Sequence, residues 1–147
     1  MRFQFRLQTL LRLREAARNE RREQLAEVLR IDDALRKQLA ELEALQSEAR
    51  ALQRLGVGRV DVDRLLEAQR YEAVVAVEIL HVERQRAVVA EEMNKRRDAL
   101  VEADREFKVI EKLREKRRLE HGADELAQEM KVLDEAAGRT KREEVDV

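Results

Sequence analysis

An apolar repeat between Val75 and Arg117 restricts most strongly the folds open to this chain. Steps of four and three residues along it visit 13 positions, nine apolar and four arginine. These positions are Val75, Ile79, Val82, Arg86, Val89, Met93, Arg96, Leu100, Ala103, Phe107, Ile110, Arg114 and Arg117. A mean spacing of about 3.5 residues keeps such a line of positions, which we call a seam, against a partner helix. Arginine is tolerated there because its aliphatic stem packs while its guanidinium reaches water.

The composition is typical of long helices and not of a globular core. The chain has 147 residues, of which 43% are charged and only 3% are aromatic, and it has no proline. Proline is the usual helix breaker, and a charged, periodic composition of this kind indicates coiled coils. The absence of cysteine excludes disulfides and thiolate metal sites. We therefore predict an all-α protein.

A second seam precedes the first. From residue 25 to residue 49 the same stepping visits eight positions, six of them apolar: Leu25, Val28, Asp32, Leu35, Leu39, Leu42, Gln46 and Ala49. Upstream the pattern is predicted to change phase, to Leu10, Leu13 and Ala17. Between the two patterns, residues 19–23 contain no apolar side chain. We therefore predict one helix with a slipped or weak register near these residues.

Two nearby glycines separate the seams. Gly56 and Gly58 allow the positive φ angles that a helix end and a reversal require. Asp61 or Asp63 can then accept the free N–H groups at the start of the next helix. The predicted boundaries within a single coiled-coil domain, residues 1–147, are helix 1 at 2–55, a turn at 56–61, helix 2 at 62–137 and a frayed tail at 138–147.

A reversal at this turn brings the two seams together. It places Leu42 near Val75 and Leu35 near Val82, apolar against apolar. A parallel homodimer would instead set Arg86 against Arg86, like charges in one seam. The predicted fold is therefore an antiparallel two-helix coiled-coil hairpin with a longer C-terminal helix.

The longer helix carries a stripe that no helix of this chain is left to cover. We call it the overhang stripe, and its members are Leu119, Ala123, Leu126, Met130, Leu133 and Ala137. It is out of phase with the main seam, and Gly122 marks the join. An uncovered apolar stripe on a helix is typical of a docking surface for another protein.

The open end of the predicted hairpin is basic. Residues 1–22 carry seven arginines against two glutamates, and residues 108–118 carry six lysines or arginines against two glutamates. Phe3 and Phe5 either anchor a partner surface or pack on the second helix near Ile110 and Leu113. Tyr71, the single tyrosine, either packs at the edge of the seam or serves as an interface aromatic.

Catalytic motifs are missing from the sequence. His81 and His121 lie 40 residues apart on the predicted helix, so they cannot converge on a metal and are predicted to be solvated. No GxxxxGK[ST] loop for nucleotide phosphates is present. We predict a protein that is not an enzyme and needs no cofactor or metal. The net charge of −1 argues against nucleic acid as a partner.

Three stretches of sequence resemble one known family. The opening FQFRLQTLLRLREAARNE, the glycine break and the late MKVLDEAAGRTKREE are similar to the flagellar export protein FliJ family. Injectisome stalk proteins share the layout, but the Phe-x-Phe opening is more flagellar. The resemblance implies a cytoplasmic coiled coil, peripheral at the inner-membrane type III export apparatus. Its implied partners are the flagellar export ATPase, the FlhA export gate and export chaperones.

The resemblance also implies sites. On it, the residues expected to engage the ATPase are Phe3, Phe5, Leu7, Arg12, Leu126, Met130 and Leu133. The residues expected to contribute to a gate-facing surface near the turn are Leu42, Leu45, Tyr71 and Val75. We expect a non-enzymatic stalk and adaptor, monomeric when free. The alternative is a membrane-surface or nucleic-acid-binding coiled coil that uses the arginine-rich N-terminus, and a self-associating rod is a third possibility.

Overall fold

The computed structural model describes residues 2–54 and 61–146. These residues contain two α-helices and no strand: α1 is Gln8–Arg54 and α2 is Val62–Val145. The helices pack against each other through apolar side chains, which confirms the all-α hairpin. Most of the predicted turn, including Gly56 and Gly58, lies outside the described residues.

The start of α2 shows which aspartate caps it. The backbone N–H of Asp63 donates to Asp61 Oδ1 at 3.1 Å, and the N–H of Leu65 donates to the Asp61 carbonyl at 3.1 Å. Asp61 is therefore the N-cap, since its side chain satisfies an N–H group that has no partner within the helix. At the other end, α2 continues to Val145, past the end predicted at residue 137.

The first helix starts later than predicted, because residues 2–5 form an arm without regular secondary structure and residues 6–7 form a turn. In this N-terminal arm and turn, Phe3, Phe5 and Leu7 are half-buried while the residues between them are exposed. Alternate burial is the pattern of extended backbone; a helix would turn Phe3 and Phe5 to opposite sides. The prediction that helix 1 begins near residue 2 is therefore wrong. The alternation of apolar and polar residues was the signal in the sequence.

The chain divides into two compact units. The terminal unit comprises Met1–Arg18 and Glu102–Val147, and the central unit comprises Asn19–Val101. Each helix contributes residues to both units, so the single domain stays a prediction.

The core of the central unit confirms the predicted helix pairing. Leu42, Val75 and Val82 form a buried cluster, and Leu35 and Ile79 pack against it. Polar contacts also join the helices, among them Arg50 to Glu72 at 2.7 Å, Arg86 to Asp32 at 3.4 Å, and Arg96 to the Gln24 carbonyl at 2.6 Å. Residue numbers rise on one helix as they fall on the other, so the two helices are antiparallel.

These polar contacts pair residues whose numbers sum to 118, 120 and 122, whereas a reversal centred on residues 57–59 predicts a sum near 116. Helical side chains lean toward the N-terminus of their own helix. Residues that touch across an antiparallel pair therefore lie slightly C-terminal to the point of contact on both helices. For long side chains, the two residue numbers of a contact therefore add up to more than those of two residues that lie directly opposite each other.

Glu72 joins the two helices near the end of α1. Arg50 Nε donates to one carboxylate oxygen at 2.7 Å, and Gln53 Nε2 donates to the other at 2.8 Å. Both hydrogen bonds, that from Arg50 first, favour the ionised form and hold the pKa of Glu72 below the usual value of a glutamate side chain.

Asp32 is a buried acid within the seam of α1. Its side chain is 6% exposed and contacts Arg36 at 2.9 Å and Arg86, on the facing helix, at 3.4 Å. Apolar seam contacts tolerate a shift of one helix along the other. A buried carboxylate has to stay opposite its cation, so the pair with Arg86 favours a single register.

The substitution D32N tests this pair. We expect a loss of about 2 kcal/mol in the free energy of unfolding, because Arg86 keeps its charge but loses its ionic partner in a half-buried site. Urea unfolding followed by circular dichroism measures the change. The matched control is D33N, since Asp33 is exposed. Equal losses in the two variants would contradict a role for the Asp32–Arg86 pair.

Candidate functional site

The terminal unit uses two of its N-terminal arginines to hold its own helices together. Among its described residues, the buried apolar side chains are Leu11, Ala103 and Phe107. Arg14 Nη1 lies 2.6 Å from Glu106 Oε2, and the guanidinium carbon of Arg18 lies 4.2 Å from the centre of the Phe107 ring. The second contact is a cation–π interaction. Part of the basic charge at this end therefore has a structural role.

The predicted shift of the α1 seam to Leu10, Leu13 and Ala17 is wrong for Leu13, whereas Leu10 and Ala17 are half-buried. Leu13 is 63% exposed whereas Leu11 is 6% exposed. The steps of four and three back from Leu25 also reach Leu7, Leu11, Arg14 and Arg18, which are buried or half-buried. The intervening position, Arg21, is exposed like the rest of residues 19–23, where a weak register is predicted. A search for apolar residues alone does not find the four covered positions, because two of them are arginine. Arginine also occupies four seam positions of α2.

The N-terminal arm packs on α2 and borders a groove. The Phe3 and His121 rings meet edge to face, with centroids 5.6 Å apart and an angle of 87°. The groove has a volume of about 800 Å³, and Phe3, Phe5, Leu113 and Arg117 are among its lining residues. Of the two alternatives for the phenylalanines, the contact with His121 therefore supports packing on α2 for Phe3, and Leu113 lines the same groove. Both rings stay partly exposed.

His121 is half-buried, so the prediction of a solvated side chain is wrong for this histidine. Besides Phe3, it contacts Glu125, with Nδ1 3.7 Å from Oε1. Four residues beyond Arg117, His121 continues the seam of α2. One more step of four residues beyond Arg117 would have predicted this position for His121. His81 is exposed, as predicted.

The overhang stripe is exposed along its length, as predicted. Leu119 is 62% exposed, Leu126 60%, Met130 58% and Leu133 67%. Every residue from 126 to 146 is exposed. Gly122 lies within α2 and does not interrupt it, so the change of phase occurs along one continuous helix.

The overhang stripe and the groove lie on opposite sides of α2. Ala123, in the stripe, follows His121, in the seam, by two residues, which is a rotation of about 200° around the helix. The residues expected to engage an ATPase therefore do not form one patch. Those of the arm lie on the seam side and those of the overhang stripe on the other, while Arg12 is exposed on α1. Their binding role stays a prediction.

Charge changes sign along this part of α2. Residues 108–118 are basic, whereas residues 119–137 carry six carboxylates and one lysine. At the basic end, Arg118 donates to both carboxylate oxygens of Glu115, at 2.6 and 3.0 Å. These hydrogen bonds lower the pKa of Glu115 and raise the pKa of Arg118.

Two of the four residues expected on the gate-facing surface, Leu42 and Val75, are buried in the central unit, so that prediction is wrong for them. Leu42 and Val75 are 7% and 3% exposed, because they face each other between the helices. They have almost no surface to offer a partner. Leu45 and Tyr71 are 38% and 47% exposed. A surface on this unit would rely on those two residues.

Residues 2–54 and 61–146 contain neither a candidate metal cluster nor a candidate membrane span. No group of three or more histidine, aspartate or glutamate side chains there is arranged to hold a metal ion. None of the helices in this range has a stretch long and apolar enough to cross a membrane.

Comparison with known proteins identifies the family. The family model described as "Flagellar FliJ protein" matches residues 3–144, which include the arm, nearly all of both helices and the overhang stripe. Comparison with curated proteins and with solved structures gives no significant match. The match agrees with the resemblance of the opening and closing stretches of sequence. This chain belongs to the flagellar FliJ protein family.

Proposed function

We propose that this chain is a non-enzymatic stalk and adaptor of the flagellar type III export apparatus. In this role it couples the export ATPase ring to the FlhA export gate and escorts export chaperones. Family membership supports the coarser statement, that the chain is a structural component of flagellar protein export. The observation that carries the finer proposal is the overhang stripe, an exposed line of large apolar residues on α2, which from residue 126 onward is exposed on all sides.

An adaptor needs more than one surface, and each unit has its own. The terminal unit has the groove beside Phe3 and Phe5 and, on the other side of α2, the overhang stripe. The central unit exposes Leu45 and Tyr71. In the proposed arrangement the terminal unit binds the ATPase and the central unit contributes to the gate-facing surface. The chain works in the cytoplasm and reaches the inner membrane through its partners.

The triple variant L126S/M130S/L133S tests the first of these contacts. We expect its affinity for the cognate flagellar export ATPase to fall at least about tenfold, because three apolar side chains are lost from the interface. Biolayer interferometry with the full chain measures this. The control V74S/V77S/V88S removes three equally exposed valines of the central unit and is expected to bind normally. An unchanged affinity in the first variant would count against the proposal.

The alternative function, binding of a membrane surface or nucleic acid, is favoured by Arg2, Arg6 and Arg12, which are exposed. Arg14 and Arg18 weaken it, since they contact α2. Binding to anionic liposomes and to DNA at about 0.15 M salt distinguishes the two functions, because binding driven by phosphate charge weakens steeply as salt rises. Strong, salt-sensitive binding without ATPase binding would support the alternative.

A further inference from the structure

The positions beside the overhang stripe are acidic or small. In a helix pair built on this stripe, the residues next to it would face the flanks of the partner helix. These flanking positions are Glu120, Gly122, Ala127, Glu129, Asp134 and Ala136, all of them exposed. Three are carboxylates, and no lysine or arginine is among them. The charge on the flanks therefore restricts what can cover the stripe.

A second copy of this chain is a poor occupant. An antiparallel pair with Leu126 opposite Met130 would set Glu120 against Asp134 and the two copies of Glu129 against each other. A parallel pair would bring Glu129 of one copy close to Asp134 of the other. Both arrangements place like charges along the contact, which is destabilising.

An anionic membrane is also a poor occupant. Residues 119–137 carry six carboxylates and one lysine, whereas helices that lie on anionic lipid surfaces are rich in lysine and arginine.

We propose that the overhang stripe binds an amphipathic helix of another protein, one whose own apolar stripe is flanked by lysine and arginine. Such a helix buries the exposed leucines and methionine while its cations face Glu120, Glu129 and Asp134. The small flanking residues let its backbone approach closely. This inference rests on the proposed adaptor function, in which the overhang binds a partner, and adds the chemistry that the partner presents.

Two synthetic helical peptides with the same leucine stripe, one with lysine flanks and one with glutamate flanks, serve as probes. Isothermal titration calorimetry with the full chain is expected to show about tenfold tighter binding of the lysine peptide, because three exposed ion pairs contribute little each but add up. The preference should shrink between about 0.05 and 0.5 M salt, because salt screens exposed charges.

Charge reversal provides the decisive comparison. The variant E120K/E129K/D134K is expected to prefer the glutamate peptide. The control E91K/D98K/E102K makes the same change in net charge at exposed residues outside the overhang stripe and should keep the preference for the lysine peptide. Equal binding of both peptides by the unmodified chain, or binding of neither, would overturn the inference. Dimerisation through the stripe in sedimentation, lost in L126S/M130S/L133S, would make a second copy the occupant and also overturn it.

Failure of this inference can be told from failure of the proposed function. If L126S/M130S/L133S loses the export ATPase while the peptides show no charge preference, only the inference fails. If that variant keeps full affinity for the ATPase while the lysine peptide is still preferred, the stripe binds a basic helix, and the proposed contact with the ATPase fails.

Discussion

Replacing Val75 with aspartate is expected to lower the free energy of unfolding by about 4 kcal/mol, because a carboxylate would be buried without a cation. Val75 is 3% exposed and packs in the cluster with Leu42 and Val82. Its neighbours three residues away in the sequence, Glu72 and Glu78, are acidic and cannot compensate the charge. Urea unfolding followed by circular dichroism measures the loss, and hydrogen exchange should show lost protection in the central unit.

The adjacent substitution V74D is the matched control. Val74 is 57% exposed, so the same change in chemistry one residue earlier should cost less than about 1 kcal/mol. Comparable losses in V74D and V75D would show that Val75 is not buried between the helices. The two variants also test whether Val75 is a core residue and not part of a gate-facing surface, because substitution of a core residue should lower the free energy of unfolding.

The second large effect is expected from F107A in the terminal unit, which should lose about 3 kcal/mol of stability. Phe107 is buried, and Arg18 lies over its ring. Alanine would remove both the apolar contact and the ring face that attracts the guanidinium. Thermal unfolding of the full chain measures the change, and hydrogen exchange assigns it to the terminal unit.

Leucine at position 107 separates these two contributions. F107L keeps most of the apolar volume but has no π face, so it should cost about 1 kcal/mol. A loss in F107L as large as in F107A would mean that the ring contact with Arg18 dominates. F107A within about 1 kcal/mol of the unmodified chain would contradict a core role for Phe107.

The angular position of each seam could be predicted from the sequence. Of the 13 positions visited between Val75 and Arg117, only Arg114 and Arg117 are exposed in the structure. Even Asp32, an acid in an apolar line, was placed correctly and is buried. The reason is geometric: a helix has about 3.6 residues per turn, so spacing determines which side chains share a face.

Two local features were present in the sequence but were misinterpreted. The alternation of Phe3, Phe5 and Leu7 with polar residues indicates an extended arm, not a helix. Arg14 and Arg18 hold seam positions that an apolar pattern alone does not recognise. Their partners, Glu106 and Phe107, lie about 90 residues away in the chain. Which arginine stem is covered depends on those distant residues.

Sequence by itself determined the two helices, their antiparallel pairing and the stripe near the end of α2, because all three follow from helical periodicity and one reversal. Only the tertiary structure decided what lies against each face. Arg96 and Arg114 both hold seam positions of α2, yet the first is half-buried and the second exposed. Spacing sets the direction in which a side chain points, whereas burial requires a neighbour at that height, and that neighbour comes from the other helix.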